Sequence, residues 1–140
     1  MRPRKRAQMS RISRMNQNNK PRKILVVDDD PIIRDMMVDI LNLEGYTIDT
    51  ARHGLEAMEI LRGEESYLVF LDVMMPVLDG KEVCAILEAE PQLRNRHFIV
   101  LMSAVDKLAE VSSLIKNVDA TMPKPFSVDD VVGIVLPYME

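Results

Sequence analysis

The stretch Lys23-Ile-Leu-Val-Val-Asp28-Asp29-Asp30-Pro31 decides how this chain is read. An unbroken apolar run with no polar alternation describes a strand buried on both faces, the signature of a parallel sheet. The run stops on acids, and Asp30-Pro31 then supplies a helix cap followed by a first-turn proline. Ile33, Met36, Met37, Ile40 and Leu41 recur at helical spacing until Gly45 closes the segment. The result is one βα unit whose polar residues gather where its strand ends.

The same unit repeats along the chain. Residues 46–51 predict a second strand, and residues 55–61 a second helix closed by Gly63. Residues 67–72 predict a third strand, again apolar until it stops at Asp72. After Met75-Pro76 and an Asp79-Gly80 turn, Val83, Ile86 and Leu87 mark a third helix that ends before Pro91. Residues 97–102 predict strand four, ending at Ser103, and Leu108, Val111, Leu114 and Ile115 mark the helix after it. A fifth strand near residues 118–122 closes on Pro123-Lys124-Pro125. Ser127 and Asp130 form a capping-box variant at the start of a last helix through Val131, Val132 and Val135, although Gly133 and the β-branched residues lower its propensity. Five βα units imply an α/β protein with a parallel sheet covered on both faces.

With 140 residues there is room for one ordinary domain. A hydrophobic content of 47% against 29% charged residues suits a soluble globular core. No apolar run approaches the ~20 residues that span a bilayer, and the basic start lacks the apolar stretch of a secretory signal. The single Cys84 excludes an internal disulfide, and two scattered histidines make no Cys/His zinc pattern, so a reducing, cytoplasmic setting is expected.

Charge divides the chain at about Lys20. Residues 1–20 hold seven basic side chains and no acid; taking those seven from 18 leaves 11 basic against 22 acidic residues in 21–140. A flexible basic extension (1–20) is therefore expected ahead of one domain (21–140). The extension reads either as an arm for nucleic acid or another acidic surface, or as a disordered terminus, including a chain whose start lies at Met9 or Met15; an organellar leader is a further reading.

Parallel sheets bind ligands outside the carboxyl ends of their strands, so the residues that terminate strands carry the chemistry. These are Asp28, Asp29 and Asp30 after strand one, Asp72 after strand three, Ser103 after strand four and Lys124 after strand five. Clustered carboxylates repel one another, and a hard divalent cation with oxygen ligands relieves that repulsion. Mg2+ fits, because it commonly takes one or two carboxylates with waters and phosphate oxygens. A carboxylate can itself attack a phosphoryl group, with a lysine and a hydroxyl neutralising and positioning it.

Val26-Val-Asp28-Asp29-Asp30-Pro31, Leu71-Asp72-Val-Met-Met-Pro76 with Asp79-Gly80, Leu101-Met-Ser103-Ala104 and Lys124-Pro125-Phe126 resemble the receiver motifs of two-component response regulators, each at the matching strand end and in the matching order. The resemblance covers roughly residues 22–140. It implies a flavodoxin-like (βα)5 fold with strand order 2-1-3-4-5. It implies Asp72 as the phosphoacceptor, fed by a histidine kinase or phosphotransfer protein, with Mg2+ bound by Asp28, Asp29, Asp72 and the backbone carbonyl of Met74. It further implies Ser103 and Lys124 as the groups that sense the phosphoryl oxygens, and a cis peptide before Pro125. Such a domain is no enzyme towards other substrates; it catalyses only its own phosphorylation and dephosphorylation, and it signals through protein contacts. The expected contact face joins the helix after strand four, strand five and the last helix, in a stand-alone regulator or a piece of a larger one. One position departs from the pattern: Thr121 stands where the family usually has the aromatic residue that reports phosphorylation.

Other polar residues have plainer readings. Asp30 is a helix cap, Asp79 a turn residue, and Asp129 and Asp130 first-turn helix charges. His53 and His97 are surface or packing residues, Cys84 belongs to the core, and the methionines are adaptable core filler. Two rival functions remain: a degenerate receiver acting as a constitutive interaction module, and a phosphohydrolase of the haloacid-dehalogenase type built on Asp28-x-Asp30.

Overall fold

The computed structural model describes residues 23–104 and 116–139. The basic segment 1–20 and the helix expected through residues 108–115 lie outside them. The elements in order are β1 (Lys23–Val27), α1 (Pro31–Leu43), β2 (Thr47–Ala51), α2 (Gly54–Leu61), β3 (Tyr67–Asp72), α3 (Gly80–Glu88), α4 (Pro91–Asn95), β4 (Phe98–Ala104), β5 (Ala120–Lys124) and α5 (Val128–Met139). The strands form one parallel sheet in the order β2-β1-β3-β4-β5, as the resemblance implies.

The apolar runs are buried on both faces because successive strand residues point to opposite sides. Leu25, Val27, Val69, Leu71, Ile99 and Leu101 pack with Ala57, Met58 and Leu61 of α2 and Val83 and Leu87 of α3. Ile24, Val26, Leu68, Phe70, Val100 and Met102 pack on the other side with Met37 and Leu41 of α1 and Val131 and Val135 of α5. Phe98 meets Tyr138 edge-on at 4.7 Å. Each fully buried Leu or Phe contributes about 1.5–3 kcal/mol, so the sheet is a stiff platform for whatever its strand ends carry. Cys84 sits in this core, where burial pushes its thiol up to about 11, out of the reactive range.

Local chemistry fixes where the helices begin. Asp30 caps α1, its carboxylate accepting the Ile32 N–H at 2.9 Å, as expected. Asp79 does more than turn the chain: with Glu82 it builds a reciprocal capping box that opens α3. His53 caps α2, its Nδ1 accepting the Glu56 N–H at 3.3 Å. The Ser127/Asp130 box forms at the head of α5, with bonds of 2.8 and 3.1 Å. Pro91 stops α3 and also opens the short helix α4, a start that the sequence reading leaves out. Strand β5 runs two residues later than expected, because Asp119 turns its carboxylate into the structure to take the Ile99 N–H at 2.8 Å and Arg94 Nη2 at 3.1 Å.

Candidate functional site

The carboxyl ends of β1, β3 and β5 bring Asp28, Asp72 and Lys124 into contact. Lys124 Nζ lies 2.6 Å from Asp28 Oδ2 and 3.3 Å from Asp72 Oδ1. Asp28 is wholly buried, and its Oδ1 accepts the Asp30 N–H at 3.0 Å. Asp29 is exposed beside them, and Asp28, Asp29 and Asp72 each offer an oxygen within 4.8 Å of the others. Asp30 is turned away to its cap, so an Asp28-x-Asp30 pair does not face the pocket.

The electrostatics follow from this crowding. Burial, then the charge of Asp28, push the Asp72 carboxyl up to about 6, against the opposing pull of Lys124 and the Met74 backbone N–H. Burial works against the Lys124 ammonium, but its bond to Asp28 and the charges of Asp72 and Asp28 outweigh that and raise its pKa. Two close acids therefore share one ammonium.

The loop after Asp72 is held by close backbone approaches. A Cβ on Gly80 would lie 2.5 Å from the Asp72 carbonyl oxygen, so a glycine is needed for α3 to start against the strand end. Gly54 donates its N–H to Leu78 O at 2.9 Å, tying the β2–α2 turn to the same loop. Between them Val77 adopts a φ of 70° while exposed to solvent. Met74 also has an exposed side chain, and its backbone N–H donates to the Asp72 carboxyl.

Ser103 is buried one residue beyond Met102, the partner of Asp72 across β3 and β4, and its hydroxyl donates to its neighbour's carbonyl, Ala104 O, at 3.3 Å. Thr121 lies half-buried on β5 opposite Leu101. The Lys124–Pro125 peptide is cis. One group at the site is absent from the sequence reading: Arg34 of α1 donates through Nη1 to the Asp28 carbonyl at 2.7 Å. An arginine one turn beyond a cap is an ordinary helical residue until tertiary structure shows what it reaches.

A five-stranded, doubly wound sheet carrying acids after its first and third strands and a lysine on its fifth defines a flavodoxin-like domain with an acidic pocket at the strand ends. The chain belongs to the response regulator receiver domain family, whose profile matches residues 24–136. It is 38% identical over 115 residues to the response regulator MprA of Mycobacterium ulcerans, covering 79% of this chain and 47% of that protein. The MprA of Mycolicibacterium vanbaalenii is 37% identical over 117 residues, covering 81% and 48%. The chain thus spans about half the length of these curated relatives. Among solved structures it is similar to a CheY-like receiver domain protein from Methanospirillum hungatei (TM-score 0.71, 28% identity, 80% of this chain and 89% of that one). It is also similar to the receiver domain of NtrX from Brucella abortus (TM-score 0.69, 28% identity, 84% and 98%). No helix among the described residues is long and apolar enough to cross a membrane.

The donor set fits a hard cation. Three carboxylates with oxygens in mutual reach, one wholly buried and another pushed up to about 6, hold repulsion that a divalent ion would relieve.

Proposed function

We propose that the chain accepts a phosphoryl group onto Asp72 from a histidine kinase or phosphotransfer protein, with Mg2+ as its metal, and passes the signal on through protein contacts. The observation that carries this reading is Lys124 set between Asp28 and Asp72, with Asp29 alongside. An Asp72 carboxylate oxygen attacks phosphorus; the P–O bond forms as the P–N bond of the donor phosphohistidine breaks, and the imidazole leaves with that electron pair and takes up a proton. Asp28, Asp29, Asp72 and the Met74 carbonyl would hold Mg2+, which when bound supplies neutralisation of the phosphoryl oxygens.

The residues of the chain do the rest. With a pKa near 6, Asp72 is mainly carboxylate at neutral pH and ready to attack. Lys124 is placed to turn from Asp28 towards a phosphoryl oxygen without leaving Asp72, and Ser103 to turn its hydroxyl from the Ala104 carbonyl to another. Thr121 has no ring to swing, so the output reaches the surface by another route than an aromatic reporter.

The test is incubation with acetyl phosphate and Mg2+, followed by intact-mass measurement of wild type and Asp72→Asn. Stoichiometric, EDTA-sensitive gain of one phosphoryl group by wild type alone is expected. Equal incorporation by Asp72→Asn would overturn the assignment, and steady turnover of a generic phosphate ester would favour a phosphohydrolase instead.

A further inference from the structure

We propose that Arg34 is a positioning residue for the metal-binding acids, clamping the β1–α1 connector so that Asp28 and Asp29 present their carboxylates to one cation. The inference rests on the metal reading of the pocket given above and assigns a role to a side chain outside it.

The connector is three residues long, Asp28 to Asp30, and must turn the chain from a buried strand into a capped helix. Its first residue continues the sheet by one bond, Asp28 N–H to Ala51 O at 3.1 Å. Its last residue is the α1 cap. Arg34 holds both ends at once: its backbone N–H donates to the Asp30 carbonyl at 3.1 Å, and its guanidinium Nη1 donates to the Asp28 carbonyl at 2.7 Å. Asp29 lies between these two anchored carbonyls. Its carboxylate is exposed, so the direction in which it leaves the chain follows a backbone that Arg34 closes into a ring.

The geometry decides between two roles with opposite consequences. As a bare positive charge on the Asp28 carbonyl, Arg34 would oppose a divalent cation, and its removal would tighten metal binding. As a clamp it prepays the ordering of two ligands, and its removal would loosen binding. A short, charge-assisted bond to a main-chain oxygen, made by a half-buried side chain, favours the clamp. Groups that orient metal ligands in this way typically change metal affinity by about 10–100-fold when removed.

The experiment is a Mg2+ titration of wild type, Arg34→Ala and Arg34→Lys, followed by amide NMR because the chain has no tryptophan. Acetyl phosphate acceptance is measured against Mg2+ concentration in parallel. Arg34→Ala should bind Mg2+ about tenfold more weakly, and its acceptance rate should return to the wild-type value at saturating Mg2+. Arg34→Lys, which keeps a charged donor, should recover most of the affinity. If Arg34→Ala does not fold, Arg34→Met retains the packing of the stem and should show the same shift. Unchanged or tighter binding in the neutral variants overturns the inference, as does a rate deficit that saturating Mg2+ does not repair. A wild type that binds no Mg2+ overturns the functional reading together with it, whereas normal wild-type binding beside an unchanged variant overturns the clamp alone.

Discussion

Acid should weaken the fold through His97, at the opposite end of the sheet from the pocket. The ring is wholly buried; its Nδ1 accepts the Tyr67 N–H at 3.2 Å and its Nε2 lies 3.0 Å from the Leu61 carbonyl. These two partners fix the neutral tautomer, with the proton on Nε2. A second proton on Nδ1 would point at the Tyr67 N–H, donor against donor, and break that bond. Burial holds His97 down at about 4 instead of 6.5, assisted by Arg96 and Arg94 and opposed by the Leu61 carbonyl. Between these two values the unfolded chain takes up a proton that the folded chain refuses. The stabilisation is therefore complete above 6.5, is lost as pH falls from there, and is level again below about 4. The gap corresponds to about 3 kcal/mol in all, of which about 2 kcal/mol is gone by about pH 5. Asp72, held near 6, acts in the other direction, since the folded state takes its proton first as pH falls towards 3.8. Urea unfolding should therefore be compared between wild type and His97→Gln, in which the Asp72 contribution is common and cancels. Wild type should lose about 2 kcal/mol relative to the variant between about pH 7 and about pH 5. Parallel pH profiles, or an imidazole that titrates near its ordinary value by NMR, would refute the reasoning.

Two further perturbations address the pocket loop and the shared cation. Val77 holds a β-branched side chain at a φ of 70° at the centre of a γ-turn that the Leu78 N–H closes on the Pro76 carbonyl at 2.8 Å, a rare and strained turn. Val77→Gly removes the Cβ that this conformation disfavours and should stabilise the protein by about 1 kcal/mol in urea titrations. A loss of stability would mean that Val77 makes compensating contacts. Lys124→Met leaves Asp28 and Asp72 facing each other without their ammonium. Because the Lys124 side chain keeps 23% of its surface exposed, the cost in metal-free buffer should be about 2–3 kcal/mol, discounted from the roughly 3–5 kcal/mol of a fully buried pair. Added Mg2+ should stabilise this variant more than wild type, and an equal response in both would count against the cation site.

The parts of this protein that were legible in its sequence are those fixed by local pattern. A strand buried on both faces leaves a continuous apolar run, so β1, β3 and β4 could be read within a residue or two, and their terminal acids and hydroxyl with them. The Asp30-Pro31 cap was legible for the same reason. The Asp79-x-x-Glu82 box carried an equally readable signature but looked like a turn because Gly80 follows it. Other features depend on residues far apart in the chain. Asp119 serves Ile99 and Arg94 across 20 and 25 positions, and His97 serves Tyr67 and Leu61 across 30 and 36. No local pattern announces such partners, and histidine is not among the usual caps, so the role of His53 was equally hidden. Pro91 was ambiguous by its nature, because one fixed φ both ends a helix and begins one.

The two ends of the sheet are built on opposite principles, and each makes sense of the other. At the amino ends of the strands, polar side chains tie neighbouring elements together: Arg94 bonds Asp119 and the His97 and Asn117 carbonyls, Arg96 reaches the Leu61 and Gly63 carbonyls through Nη2 although its Nε is buried without a partner, and His97 bridges β3 to α2. At the carboxyl ends Asp28 and Asp72 are buried against each other with one ammonium between them, an arrangement that destabilises the resting fold. Relaxing that strain by spreading the strands would break the clamps at the far end and open a core of fully buried Leu, Val and Phe. The carboxylates therefore stay close, and their repulsion is left for a ligand to relieve. A cation or a phosphoryl group then draws its binding free energy from a site already assembled, rather than losing part of it to ordering the chain.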